Sequence, residues 1–500
     1  MGSITTESLA AMLALIGAVI IVSSLLSGFV ERSNFPQVAA FLLFGAVLGP
    51  SGVGVLDVDL QSPVLRVVAT LSLGLVLFID ALTLNLPEVR KNFSLAGAIL
   101  GPGTILATVV IGLGGHYMLG LSPPLAAILA AALASTDPVL LRGLLRRPDL
   151  PGPARLSLRL ESGLNDVVLL PVVLVAMALA GTGGSKSLDA PKLVLQMLVL
   201  GPGAGAIVAL VGIATLEVVR RKVGVRRDYE SIYSLGICFA AFAAAEALHG
   251  SGFLAAFAAG LTIAALDVEL CDCFQEYGET TAEMLLMFTF VLLGASLIWS
   301  GMGILTAAVI GFTLVALAAR PVSLWATLTP MKIERRSRAI IAWFGPRGLS
   351  TLLLVLVPVF AGTPGSEQLF QIASVVVLTS VLVHGGSIMF FGRGAFRKGG
   401  AAAPATTESK PLRPLPVAPS ESTVEAPPEG TYPELMTPQE ILALMEQGED
   451  VRLLDVRLGR SFLEATHDLE VAERLDPEHA RDAARAMALP KDSWPALFCT

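Results

Sequence analysis

The sequence predicts an all-α polytopic membrane protein of about thirteen transmembrane helices, some of them broken, followed by a small α/β unit. Three observations lead there. Hydrophobic residues make up 54% of the 500-residue chain, charged residues only 15%, and the mean hydropathy is +0.73. Soluble domains carry about 25% charge, so the composition argues against a soluble enzyme, a nucleic-acid binder or a disordered chain. Second, the apolar residues fall into long runs. Third, basic residues gather in alternate loops.

A bilayer-spanning helix needs about 20 apolar residues, fewer where it is broken inside protein. Thirteen runs qualify, at 9–29, 36–49, 63–84, 93–119, 123–145, 157–180, 191–216, 231–248, 251–266, 281–299, 303–328, 338–360 and 369–391. The runs at 36–49 and 251–266 are marginal. Thirteen spans put the C-terminus and the loops after odd-numbered helices on one side. Up to residue 400 that side carries twenty Lys and Arg, among them Arg90-Lys91, Arg220-Arg221-Lys222 and Arg335-Arg336. The other side carries Arg66, Lys186 and Lys192. The positive-inside rule then places the C-terminus in the cytoplasm and the N-terminus outside, in the inner (cytoplasmic) membrane. Glu7, rather than a basic stretch, precedes the first run, which reads as a retained helix and not a signal peptide.

The net charge of −7 is unevenly spread. Residues 1–400 hold 25 Lys+Arg against 23 Asp+Glu, and residues 401–500 hold 9 against 18. The acidic tail is therefore a separate object. Residues 1–395 form the membrane domain, 396–433 a Pro/Ala-rich linker and 434–500 a small α/β domain. In the last of these, Thr437-Pro438-Gln439-Glu440 starts a helix, Val451–Val456 alternates like a strand, a helical stretch covers 476–488, and Ala496–Cys499 is strand-like. Cys238, Cys271, Cys273 and Cys499 make no disulfide framework, and Cys271-Asp272-Cys273 lacks the second cluster a metal site needs.

A charge inside a span costs roughly 2.5–3.5 kcal/mol on insertion scales, so each is a functional candidate. The runs contain Asp80, Asp137, Glu161, Asp166, Glu246, Arg320 and Arg347. Structural pairing is the competing reading, and for Glu246 and Arg320 it weighs as much as a functional one. The fifth run is interrupted by Ser135-Thr136-Asp137-Pro138. Pro138 removes a donor and disfavours helix at Asp137, leaving carbonyls that a cation can satisfy. In the sixth, Glu161-Ser162-Gly163-Leu164-Asn165-Asp166 stacks Ser162 on Asp166 and Glu161 on Asn165 at i, i+4. Hard oxygen ligands suit hard cations, and a carboxylate holds a cation or a proton but not both. In the twelfth, Gly345-Pro346-Arg347-Gly348 loosens the helix around an arginine that requires a carboxylate partner, for which Glu161 is the expected choice, leaving Asp166 unpaired.

Five motifs in order resemble the monovalent cation:proton antiporter family that includes NhaP and the animal Na+/H+ exchangers. They are Thr136-Asp137-Pro138, Glu161 to Asp166, His249-Gly250-Ser251-Gly252-Phe253-Leu254, Arg320-Pro321-Val322 and Gly345-Pro346-Arg347-Gly348. The resemblance covers about residues 5–395. It implies an antiporter fold with inverted repeats and broken helices, thirteen spans and a homodimer. It also implies no cofactor, transported Na+ (or Li+ or K+) and H+, and a role in pH homeostasis. By position it makes Asp166 the cation- and proton-binding carboxylate, with Asn165 completing an Asn-Asp pair associated with electroneutral exchange. Ser162, Thr136 and Asp137 become cation-site residues, Glu161 and Arg347 a structural ion pair, and Asp80 a shorter substitute for a ligand Glu. Gly345-Pro346-Arg347 departs from the commoner Gly-Leu-Arg.

The tail resembles a rhodanese domain through Met436 to Glu440, Leu453-Leu454-Asp455-Val456-Arg457 and Ala496 to Thr500. Sulfur transfer needs a thiolate cradled by following backbone N–H groups, and only Thr500 follows Cys499, so the domain reads as incomplete. Two readings stand beside the antiporter. One is a cation channel of the same fold, which a titratable site disfavours. The other is a membrane-tethered sulfurtransferase or sulfur-sensing regulator, for which thirteen spans with buried charges are excessive.

Overall fold

The apolar runs that the structure describes fold as helices. The computed structural model describes residues 17, 21, 37–50, 52–84, 86–145, 150–181, 195–222, 227–266, 272–331, 333–387, 451–456, 473–475 and 494–498. The expected first span, 9–29, lies almost wholly outside them, as do the linker and the expected helix at 476–488.

Six described helices are long and apolar enough to cross a membrane: Pro63–Leu82, Phe93–Leu119, Gly152–Ala180, Gln196–Lys222, Ala307–Leu328 and Ser366–Gly385. Thr280–Ala295 and Leu297–Ile304, bent by 44°, make a seventh if counted together. The other expected spans are shorter or interrupted. Val38–Leu48, Ile232–Ala247 and Gly252–Ala265 are apolar helices of 10–17 residues. The expected span 123–145 is two helices, Pro123–Ala134 and Pro138–Leu145, and 338–360 is Arg335–Trp343 followed by Leu349–Phe360.

Local chemistry explains the irregularities. Pro102 lies inside a π-turn, Ile99–Gly103, because its ring cannot donate to the preceding turn. A second π-turn, Gln196–Leu200, precedes Gly201-Pro202. Helix Leu349–Phe360 is apolar all round, and every residue from Leu349 to Leu356 is buried, so it runs through the core. Helix Pro63–Leu82 packs against Gly252–Ala265 and the helix Asp272–Ala295. Helix Gly201–Lys222 instead exposes Ile207, Leu210, Val211 and Val218, an apolar surface that suits lipid and not water.

The chain divides into two compact units, Met1–Pro404 and Ala405–Thr500. In the second, β1 (Val451–Asp455), β2 (Glu473–Arg474) and β3 (Trp494–Phe498) form a parallel sheet in the order β2-β1-β3. Val451 faces Trp494 and Asp455 faces Phe498 in register. The last strand starts two residues before the expected Ala496, taking in Trp494 and Pro495.

Candidate functional site

The two broken helices cross at their breaks. Ser135 leaves helix geometry with ψ 141° after Ala134, and Pro138 opens the next helix. Phe344 leaves with ψ 82°, and Gly348 precedes the restart at Leu349. Each break carries a proline, which cannot donate within a helix. Each break also leaves helix ends to satisfy inside the protein, and the two segments satisfy one another. The Asp137 N–H donates to the Pro346 carbonyl at 3.0 Å. The Leu349 N–H donates to Asp137 Oδ2 at 2.6 Å, so Asp137 caps the half-helix Leu349–Phe360 with a negative charge at its positive end. Arg347 Nη1 donates to the carbonyls of Ala134 and Ser135 at 2.6 and 3.0 Å, placing positive charge on the C-terminal end of Pro123–Ala134. The Arg347 N–H donates to Ser380 Oγ at 2.7 Å, tying the break to helix Ser366–Ser380.

This crossing leaves no room for extra atoms. A Cβ on Gly348 would overlap the Asp137 carboxylate, and one on Gly345 would overlap the Arg320 guanidinium. Neither glycine has a positive φ. Close approach, not backbone conformation, requires them.

Helix Gly152–Gly181 lies beside the crossing and presents Asn165 and Asp166, both buried. Ser135 Oγ donates to Asp166 Oδ1 at 2.5 Å. Asn165 Nδ2 donates to the Ala134 carbonyl at 3.2 Å and to Thr136 Oγ1 at 3.4 Å. Asn165 Oδ1 is buried with no hydrogen-bond donor among the described residues. Asp166 takes part in no ion pair among the described residues. The structure thus brings together Thr136, Asp137, Asn165, Asp166 and Arg347, and it adds Ser135. In the sequence Ser135 stands out only as part of the interruption, with no role of its own. A small hydroxyl residue at a break beside an expected carboxylate was the available signal.

The expected pairing of Glu161 with Arg347 does not form. Arg320 takes Glu161 instead, Nε donating to Oε1 at 2.7 Å and Nη2 to Oε2 at 2.5 Å. Arg320 Nη1 donates to the Ala342 carbonyl at 2.9 Å, so this arginine also serves the second break. The physical reason is that Arg347 is held by the carbonyl ends of Pro123–Ala134, which need a cation as much as a carboxylate does. For the same reason two carbonyls expected to receive a transported cation already have donors. Ser162 Oγ donates to the Arg159 carbonyl of its own helix at 3.1 Å. Asp80 is half-buried in the last turn of Pro63–Leu82, which packs on the helix that carries Asp166. Glu246 Oε1 accepts the Gly252 N–H at 2.9 Å at the start of Gly252–Ala265. The Cys271-Asp272-Cys273 side chains lie outside the described residues.

Known proteins match both the sequence and the fold. The Alkalimonas amylolytica K(+)/H(+) antiporter NhaP is 25% identical over 383 residues, covering 75% of this chain and 65% of that protein. The K(+)/H(+) antiporter NhaP2 of Shewanella baltica is 28% identical over 433 residues, covering 84% and 70%. The Na(+)/H(+) antiporter NhaP of Pseudomonas aeruginosa is 25% identical over 392 residues, covering 70% and 88%. The chain therefore spans about two thirds of the length of the first two relatives. Among solved structures, the sodium proton antiporter MjNhaP1 of Methanocaldococcus jannaschii superposes with a TM-score of 0.62 at 18% identity, covering 78% of this chain and 98% of that one. The family model described as "Sodium/hydrogen exchanger, transmembrane" matches residues 18–394. The chain is a multi-pass membrane protein and belongs to the sodium/hydrogen exchanger family of monovalent cation:proton antiporters.

Proposed function

We propose that the membrane unit exchanges a monovalent cation for a proton, one for one, by making the two compete for Asp166 while the loaded site alternates between the membrane faces. One observation carries this reading. Asp166 is a buried carboxylate beside two broken helices, held by a serine hydroxyl and paired with no cation among the described residues. A buried carboxylate without a counter-charge must take one from elsewhere, and a proton or a small cation supplies it. The local charge is low, because Asp137 is engaged by a helix N-terminus. One carboxylate with neutral oxygens suits a monovalent ion better than a divalent one.

Asp166, the donor-less Asn165 Oδ1 and the hydroxyls of Thr136 and Ser135 form the inner ligand set of the proposal. Ser162 and Asp80 are outer contributors from the same and the neighbouring helix. Asp137 and Arg347 hold the crossing, and Glu161 serves as the partner of Arg320. Relatives named for K+ and for Na+ support a monovalent cargo, with Na+ as the first candidate and K+ and Li+ as the others. The excess of basic residues in alternate loops supports a cytoplasmic C-terminus, an outer N-terminus and thirteen spans in the cytoplasmic membrane. A homodimer follows from the family reading. For the C-terminal unit, the parallel pairing of Val451–Asp455 with Trp494–Phe498 supports a rhodanese-like module that regulates transport.

The test uses everted vesicles, a pH-sensitive dye and additions of Na+, Li+ or K+. Alkalinisation of the acidified lumen on adding one cation, absent in Asp166→Ala and insensitive to a clamped membrane potential, is the expected result. Cation entry without a pH change would overturn antiport in favour of a channel.

A further inference from the structure

Helix Ala307–Leu328, which carries Arg320, and helix Arg335–Trp343, whose Ala342 carbonyl Arg320 also holds, form an open groove between them. Arg320 is buried, but Val322, two residues further along the helix, is 66% exposed, as opposite faces require. Val322, Trp325 and Ala326 of Ala307–Leu328 face Ala339, Ala342 and Trp343 of Arg335–Trp343 across a groove of about 560 Å³. Alanines and the two indoles of Trp325 and Trp343 make up most of its lining. This lining is apolar, and it lies on a helix pair that the family places in a bilayer.

We propose that this groove is a site for an anionic phospholipid, with an acyl chain between the indoles and the headgroup on the arginines at the groove's end. The helical spacing supports it. On Arg335–Trp343, Arg335, Arg338, Ala339, Ala342 and Trp343 recur at three and four residues, so one stripe passes from guanidinium groups to groove wall. Arg338 sits at the junction. Its guanidinium lies 5.6 Å from the Trp325 ring centroid. Its Nη1 donates to Thr329 Oγ1 at 3.3 Å and its Nη2 to the Ile333 carbonyl at 3.1 Å, while its Nε is buried with no acceptor. Arg335 is exposed and Arg336 half-buried, and Glu334 is the single acid between Leu328 and Ser366 in the sequence. Three arginines against one glutamate favour a headgroup of net negative charge over a zwitterionic one. Tryptophans at the level where an apolar slot meets a basic end match the interfacial belt of a bilayer. The inference does not depend on which ion is exchanged.

The experiment uses the full chain in vesicles of equal parts phosphatidylglycerol and phosphatidylcholine, with brominated acyl chains on one lipid at a time. The signal is Trp325 fluorescence, taken as the difference between wild type and Trp325→Phe. Stronger quenching by brominated phosphatidylglycerol is expected, with a preference of about fivefold per engaged arginine. The Arg335→Gln/Arg336→Gln variant is expected to lose most of that preference. Ala339→Leu, which fills the groove and leaves the arginines, is expected to lose the quenching itself. Raising salt on the wild type weakens the preference without any substitution. Equal quenching by the two lipids in the wild type would mean ordinary boundary lipid and overturn the proposal, as would a preference unchanged in the arginine variant and in high salt.

Discussion

Arg320 grips both carboxylate oxygens of Glu161 and, with its remaining nitrogen, the carbonyl of Ala342. Both residues are buried. Breaking such a pair from one side strands a charge and costs about 3–5 kcal/mol, whereas replacing both partners by apolar residues costs much less. Arg320→Gln and Glu161→Gln are expected to lower the thermal midpoint of the detergent-solubilised protein sharply, and Arg320→Met/Glu161→Leu to recover most of it. Additive losses in the double variant would mean that the two side chains act separately.

Arg347 places its charge on the carbonyl ends of Pro123–Ala134 and so fixes Ser135 beside Asp166. Hydrogen bonds to charged groups contribute about 1.5–3 kcal/mol each. Arg347→Gln is expected to abolish exchange, and Arg347→Lys, which keeps the charge but not the planar fork, to retain a measurable fraction. Wild-type transport by Arg347→Gln in the vesicle assay would remove the arginine from the mechanism.

Gly348 has no space for a methyl group against Asp137. Overpacking of this kind costs about 1–3 kcal/mol. Gly348→Ala is expected to cut exchange at least as severely as Asp137→Asn, because both separate the two crossing segments. Full activity of Gly348→Ala would show that the crossing is loose during transport.

Ser135 Oγ donates its hydrogen to Asp166 Oδ1 at 2.5 Å. Ser135→Ala is expected to raise the apparent KM for the cation by about tenfold, the size of one hydrogen bond to a charged group, with a smaller change in maximal rate. Ser135→Thr keeps the hydroxyl and is expected to recover much of the loss. A drop in maximal rate with KM unchanged would place Ser135 in the conformational step instead.

Much of this organisation is legible in the sequence, and the limits are physical. Proline and glycine mark both breaks, since each acts on the backbone within one or two residues. The carboxylate of Asp166 stands out because burying a charge is costly wherever it occurs. Periodicity locates the helices, but it does not give their rotation against one another. Charge alone therefore points Glu161 to Arg347, whereas Arg320 is the arginine that reaches it. Ser162 shares a helix face with Asp166, yet its hydroxyl turns to the Arg159 carbonyl, a local competition that spacing cannot decide. The run 93–119 reads as one smooth helix, whereas Pro102 imposes a π-turn. Short helices such as Gly252–Ala265 carry no length signal for a span, because their burial comes from neighbours.

Competition between cation and proton at Asp166 is tested most directly by proton displacement. Purified protein in weak buffer, at the most acidic pH at which the cation still binds, is titrated with Na+ or K+ while released protons are counted. The expected result is about one proton released per cation bound by the wild type and none by Asp166→Asn. Cation binding with no proton release by the wild type, or undiminished release by Asp166→Asn, would contradict a shared site.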